Sequence, residues 1–161
     1  MLSMIPSVLT GAKARDLETI KVITRKAYPS VGQISTETLE EWLQAERASL
    51  LLVDVRRAEE FAVSHLRGAA NLRTNDEVLE AMAHQRPART VLYCSVGFRS
   101  SRLANLVARC GVHKVFNLEG SIFQWANEGR AVYQGDKVVQ QVHPYGRRWT
   151  GLLKQGLASD C

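Results

Sequence analysis

One stretch constrains this chain more than any other: Thr90–Ser101, which reads Thr-Val-Leu-Tyr-Cys-Ser-Val-Gly-Phe-Arg-Ser-Ser. Its first four residues are β-branched or apolar and predict a short strand ending at Cys94. A helix must begin soon after, because Leu103, Leu106, Val107 and Cys110 recur at i, i+3, i+4 and i+7, with Gly111 in place for a C-terminal cap. Cys94 therefore opens a tight strand-to-helix turn. Backbone N–H groups that curl inward there, with the helix N-terminus behind them, favour an anion. A thiol at that position is expected to ionise early and act as a nucleophile. Gly97 permits a positive φ or a close backbone approach, and Arg99 offers a fork of donors to an arriving anion.

The rest of the chain reads as alternating helices and strands. Ala12–Tyr28 carries Leu17, Ile20, Ile23 and Ala27 among basic residues and predicts an amphipathic helix ending before Pro29. A helix packed on the domain is preferred to a membrane-surface or partner helix, because the apolar stripe is thin. Ser35 caps a second helix, with Glu37 in its first turn and Ile34 stapled against Leu39; Trp42 and Leu43 extend its buried stripe. Leu50–Val53 is a continuous apolar run, the pattern of a parallel strand covered on both faces. Arg57–Val63 predicts a short helix. Thr74–Glu77 is a capping box for a helix reaching about His84, and Pro87 closes that excursion. Strand Lys114–Leu118 and helix Ser121–Glu128, stopped by Gly129, follow. Gly135-Asp136 predicts a hairpin between Ala131–Gln134 and Lys137–Gln140. The aromatics of Val142–Trp149 pack back on the domain or form a docking surface; the residues alone leave both open. Ala158–Cys161 reads as a frayed end.

Cys94, Gly97 and Arg99 match the Cys-x-x-Gly-x-Arg loop of rhodanese-type sulfurtransferases, and the chain resembles that family in three further ordered blocks. Leu52-Val53-Asp54-Val55-Arg56 with Glu60-Phe61 is one. His65-Leu66-Arg67-Gly68-Ala69 with Asn71-Leu72 is another. The last is Asn117-Leu118-Glu119-Gly120 with Trp125, Gly129 and Val132. The resemblance covers roughly residues 33–134. It implies an α/β fold: an open, mainly parallel sheet with helices on both faces. To this the chain adds an N-terminal helical extension over residues 1–32 and, over 135–161, a hairpin strand and tail packed on the domain. Two departures stand at the loop. Ser121 occupies a position where many members carry a second glycine after Gly120. Val96 and Phe98 make the loop less polar than loops with basic residues beside the cysteine, which weakens the case for thiosulfate and puts an organic persulfide donor level with it.

The implied chemistry is transfer of a sulfane sulfur, from thiosulfate or a low-molecular-weight persulfide, to a thiol or cyanide acceptor. Cys94 is the expected nucleophile and persulfide carrier and Arg99 the anion-binding residue. The backbone N–H groups of Ser95, Val96, Gly97, Phe98 and Ser100 are expected to surround the sulfur. Asp54 ends a strand at the same sheet edge as Cys94, where ligands gather in such folds. Pairing with an arginine or capping a turn is its first expected role, and support of the site its second; Arg56 shares that ambiguity. His65 is expected to be scaffold rather than a general base. No metal or organic cofactor is required, since the four histidines are scattered. Cys110 is expected in the core, on the order of 20 Å along the helix from Cys94 and too far to resolve its persulfide.

Rival classes fit less well. Cysteine phosphatases and arsenate reductases place five residues between Cys and Arg, and here only Ser95, Val96, Gly97 and Phe98 intervene. A non-catalytic interaction module of this fold usually lacks the cysteine. The net charge of +5 suits anionic substrates or an acidic acceptor protein. Nucleic acid is not expected, because the basic residues are dispersed. The longest aliphatic run, Leu50–Val53, cannot cross a bilayer. Met1–Thr10 lacks a basic start and does not read as a signal peptide. Three irregularly spaced cysteines make no disulfide framework, so a cytoplasmic location is expected.

Overall fold

A computed structural model describes residues 16–160. Its centre is two strands that the sequence marks as apolar on both faces, β2 (Leu50–Asp54) and β4 (Arg89–Tyr93). They pair in parallel with Leu52 beside Val91 and Asp54 beside Tyr93. Around them lie β1 (Gly32–Ile34), β3 (Ala70–Asn71) and β5 (Val115–Leu118), in the order β1-β5-β4-β2-β3, every pairing parallel. β1 has no periodicity to betray it; three residues are too few.

Parallel neighbours need crossovers, and helices supply them. These are α1 (Leu17–Ala27), α2 (Thr36–Glu46), α3 (Ala58–Val63), α4 (Asn75–Gln85), α5 (Phe98–Ala108) and α6 (Ser121–Asn127). Alternate strand residues feed two apolar clusters, as the pleat requires. Leu52, Val91 and Tyr93 join Ile20 of α1, Leu39 of α2 and Ile122 and Phe123 of α6. Leu51, Val53 and Leu92 join Val78 of α4 and Leu103, Ala104 and Val107 of α5. The caps follow the sequence. Ser35 Oγ accepts from Thr38 N at 3.1 Å, and Thr74 and Glu77 exchange the two bonds of a capping box. Asp16 caps α1 by accepting from Thr19 N. The expected segments Met1–Thr10 and Ala12–Arg15, and Cys161, lie outside the described residues.

Two expectations fail. Cys110 is exposed rather than buried, and Leu106 is 42% exposed. At about 100° per residue, the inward face of α5 is centred on Ser100, Ser101, Leu103, Ala104 and Val107, of which the two serines and the alanine are small and let the helix lie close to the sheet. Leu106 and Cys110 fall outside that arc, and the helix ends before Cys110. The chain end is also not frayed at Ala158 and Ser159. Val142 N donates to Leu157 O at 2.7 Å and Ser159 N to Val142 O at 3.0 Å, a small parallel bridge.

The hairpin forms between β6 (Val132–Gln134) and β7 (Lys137–Val139), with Gly135 at φ +59°. From there residues 140–159 return across the molecule. Asn127 at the end of α6 anchors them, donating to Leu152 O and accepting from Lys154 N, both at 2.8 Å. Among the described residues no helix is long and apolar enough to cross a membrane.

Candidate active site

β4 delivers Cys94 to the carboxyl edge of the sheet, and the loop 94–97 turns back into α5. The turn needs Gly97, whose φ is +103° and whose added Cβ would stand 3.2 Å from Asn117 Nδ2 and 3.4 Å from Leu118 O. The same loop is clamped from behind by α6. Ile122 N donates to Cys94 O and Phe123 N to Ser95 O, at 3.2 and 3.0 Å. Ser121 Oγ accepts from Cys94 N at 3.1 Å and donates to Leu118 O at 2.8 Å. Ser121 is buried at φ +50°, a left-handed conformation that costs a non-glycine residue about 1–2 kcal/mol.

The sulfur of Cys94 is almost enclosed; the residue is 1% exposed. Gly97 N donates to Sγ at 3.2 Å, and Ser100 Oγ lies 3.3 Å from it. Ser100 Oγ also stands 2.5 Å from Asn117 Oδ1, and Asn117 Nδ2 donates to Gln33 Oε1 at 2.7 Å, so a buried amide chain runs from β1 to the thiol. Burial pushes the thiol up. The charge of Arg99, the hydroxyl and backbone of Ser100 and the Gly97 N–H outweigh it and bring the thiol below its ordinary value. Of the five backbone donors expected, Gly97 touches Sγ by its N–H, and Ser100 contributes its hydroxyl as well. Ser95, Val96 and Phe98 are buried around them.

Arg99 has a partner that sequence reading missed. Its Nη1 and Nη2 donate to Glu60 Oε2 and Oε1 at 3.1 and 2.9 Å, and Nη2 also reaches Ser95 Oγ at 2.9 Å. Glu60, on α3, has no exposed surface and accepts in addition from Arg57 N and Nε at 3.0 and 3.1 Å. Burial alone would raise this carboxyl; hydrogen bonds and charge from Arg99, with help from Arg57 and Arg56, hold it down at about 2. The phenol ring of Tyr145 covers the guanidinium of Arg99 at 4.5 Å and that of Arg57 at 5.3 Å. Trp149 meets Tyr145 edge to face at 6.0 Å. The hollow over the sulfur is lined by Cys94, Ser95, Val96, Phe98, Arg99, Tyr145 and Trp149.

Asp54 and Arg56 lie at the same edge but engage each other. Arg56 N and Nε donate to Asp54 Oδ1 at 3.0 Å and Arg56 Nη2 to Oδ2 at 2.7 Å, with both side chains fully buried. Arg56 Nη2 also holds Ser64 O at 2.6 Å, and Asn71 Nδ2 ties the Asp54 and Arg56 carbonyls. The pair orders the segment that carries Glu60. His65 stacks on Phe61 at 4.0 Å and exchanges backbone bonds with Tyr133, away from the thiol.

Comparison with known proteins now bears on this geometry. The rhodanese-like domain family matches residues 35–128, more than half of the chain. The chain belongs to the rhodanese-like family. It is 29% identical over 136 residues to a tRNA uridine(34) hydroxylase of Burkholderia ambifaria, a stretch covering 74% of this chain and 48% of that protein. It is 28% identical over 105 residues to the uncharacterized protein YqhL of Bacillus subtilis, covering 65% of this chain and 83% of that one. The chain thus spans about half the length of the tRNA hydroxylase it matches. Two solved structures share the fold at 20% identity. Thiosulfate sulfurtransferase of Pseudomonas aeruginosa superposes with a TM-score of 0.61 over 74% of this chain and 23% of that one. The polysulfide-sulfur transferase homodimer of Wolinella succinogenes superposes with 0.54 over 77% and 92%. The rhodanese-like match ends before Tyr145 and Trp149, so those two walls of the hollow lie beyond the family's shared part.

Proposed function

We propose that this rhodanese-like protein is a sulfurtransferase that carries a sulfane sulfur as a persulfide on Cys94. One observation supports the reading above others. A buried thiol, held below its ordinary pKa, sits in a turn whose Gly97 N–H and Ser100 hydroxyl converge on the sulfur at 3.2 and 3.3 Å. The thiolate attacks the outer sulfur of a donor R–S–S⁻ or thiosulfate. The new S–S bond forms as the donor's own bond to that sulfur breaks, and R–S⁻ or sulfite leaves with the bonding pair. No proton is required. The persulfide Cys94–S–S⁻ then gives its outer sulfur to a thiolate or to cyanide and returns to Cys94–S⁻. The turn's donors stabilise negative charge on sulfur throughout, a preorganised electrostatic contribution, and the charge of Arg99 adds to it. The donor is a small anionic sulfur compound and the acceptor a thiol, free or on an acceptor protein. A reducing compartment such as the cytoplasm suits the chemistry. Residues 33–134 are the proposed catalytic unit, extended by 1–32 before it and by 135–161 after it.

Intact mass tests this directly. Reduced protein incubated with thiosulfate or glutathione persulfide is expected to gain one sulfur, about 32 Da, and to lose it to cyanide as thiocyanate. Cys94→Ser is expected to gain nothing. Absence of the gain on folded wild type with both donors would overturn the reading.

The tRNA uridine(34) hydroxylase likeness extends over 136 residues and, with the net charge of +5, supports a second reading in which Cys94 acts on tRNA. Salt-sensitive binding of purified tRNA together with a tRNA modification lost in Cys94→Ser would favour it.

A further inference from the structure

The guanidinium that sequence reading assigns to an arriving anion is not free. Both its Nη groups go to Glu60, a carboxylate it shares with Arg57, and Tyr145 covers its face. The hollow between Cys94 and the rings of Tyr145 and Trp149 has free space of about 10 Å³, enough for one water-sized group. A single sulfane sulfur would occupy most of it, so the body of the donor extends outward along the Tyr145 and Trp149 walls.

This rim is built by the C-terminal return, and it is held in place at several points. The Val142–Ala158 bridge ties one end, Asn127 the other, and Arg57 Nη2 reaches Tyr145 O at 3.5 Å. Tyr145 is itself at φ +69°, with its N–H on His143 Nδ1 at 3.0 Å, so the ring is presented from a strained turn that its surroundings maintain. A sulfonate head such as that of thiosulfate would press its charge against two aromatic rings beside a guanidinium whose donors are already engaged by Glu60 and Ser95. An apolar or aromatic body would instead bury surface on those rings.

We propose that Tyr145 and Trp149 are specificity-determining residues that select sulfane-sulfur donors with an uncharged, apolar organic body over thiosulfate. This rests on the sulfur-transfer reading and adds the donor class to it. Benzenethiosulfonate is the matched probe: it carries the same SO₂–S⁻ head as thiosulfate, with a phenyl group in place of one O⁻. Cys94–S⁻ takes its outer sulfur and benzenesulfinate leaves with the S–S bonding pair, so atoms and charge balance as for thiosulfate and sulfite.

The experiment measures kcat/KM for both donors with cyanide as acceptor, in wild type, Tyr145→Ala, Trp149→Ala and Trp149→Phe. Comparing donor ratios between variants cancels the donors' different intrinsic reactivities. The benzenethiosulfonate-to-thiosulfate ratio is expected to fall on the order of tenfold in each alanine variant, the scale of one lost apolar contact, and to be largely retained in Trp149→Phe. An unchanged ratio in both alanine variants, with Cys94 still gaining sulfur, overturns the rim's role and leaves sulfur transfer standing. A ratio that falls equally in Trp149→Phe also overturns it, since an aromatic wall is then not what selects. No sulfur on Cys94 from either donor overturns both readings together.

Discussion

Glu60 and Arg99 face one another through two hydrogen bonds, at 2.9 and 3.1 Å, although 39 residues separate them in the chain. The carboxylate is fully buried, and the arginine beside Cys94 is paired with it. Because the carboxyl titrates at about 2 when folded against an ordinary 4.5, its contribution to stability is complete above 4.5 and lost as pH falls toward 2. Its size is on the order of 3 kcal/mol, at about 1.4 kcal/mol per pKa unit. Glu60→Gln is expected to be several kcal/mol less stable at pH 7, since it leaves Arg99 unpaired. In urea titrations the gap between wild type and variant should shrink from pH 5 to pH 3. A gap constant over that range would show that the pair carries no such linkage.

Ser100 supplies the side-chain hydroxyl nearest the sulfur. A hydrogen bond to a charged group contributes about 1.5–3 kcal/mol, so losing it from the thiolate is expected to raise the thiol pKa. The rate of Cys94 alkylation against pH reads this in Ser100→Ala, with Cys110 and Cys161 replaced by serine because Cys110 is exposed. An unmoved inflection would mean that Ser100 Oγ spends its one proton on Asn117 Oδ1 and not on sulfur.

The strand-to-helix turn at Cys94 and the two central strands were legible because each is written locally. Cys94, Gly97 and Arg99 sit within one turn, and Leu50–Val53 is apolar without interruption. Glu60 was not legible as a site residue. A glutamate in the first turn of a short helix ordinarily reads as a solvated N-terminal charge, and only the β2–β4 pairing brings it beneath Arg99. Cys110 misled for the converse reason: Leu103 and Val107 of the same apolar pattern are buried beside the serines and Ala104, but Leu106 falls off that face and the helix ends before Cys110. The aromatics of the tail left packing and docking both open, and their destination over the thiol depends on the Val142–Ala158 bridge, a contact with no local signature.

Asp54 and Arg56 are expected to act through structure. Arg56 is fully buried, and removing it strands Asp54 and releases Ser64 O. Arg56→Met is therefore expected to lose about 3–5 kcal/mol of stability, the cost of breaking one side of a buried pair. Thermal or urea unfolding measures it. A loss below about 1 kcal/mol would mean that the pair is not what orders the segment carrying Glu60.

Ser121 joins two opposing contributions at one position. Its left-handed backbone is unfavourable for a side chain, whereas its hydroxyl satisfies the buried N–H of Cys94. Ser121→Ala keeps the backbone strain and abandons that N–H, so it is expected to lose about 1–3 kcal/mol. Ser121→Gly also abandons the N–H but relaxes the backbone, and is expected to be about 1 kcal/mol more stable than the alanine variant. Urea unfolding of the pair separates the two contributions. Equal stabilities would remove the strain argument. A wild-type-like alanine variant would remove the hydrogen bond as a support of the Cys94 turn.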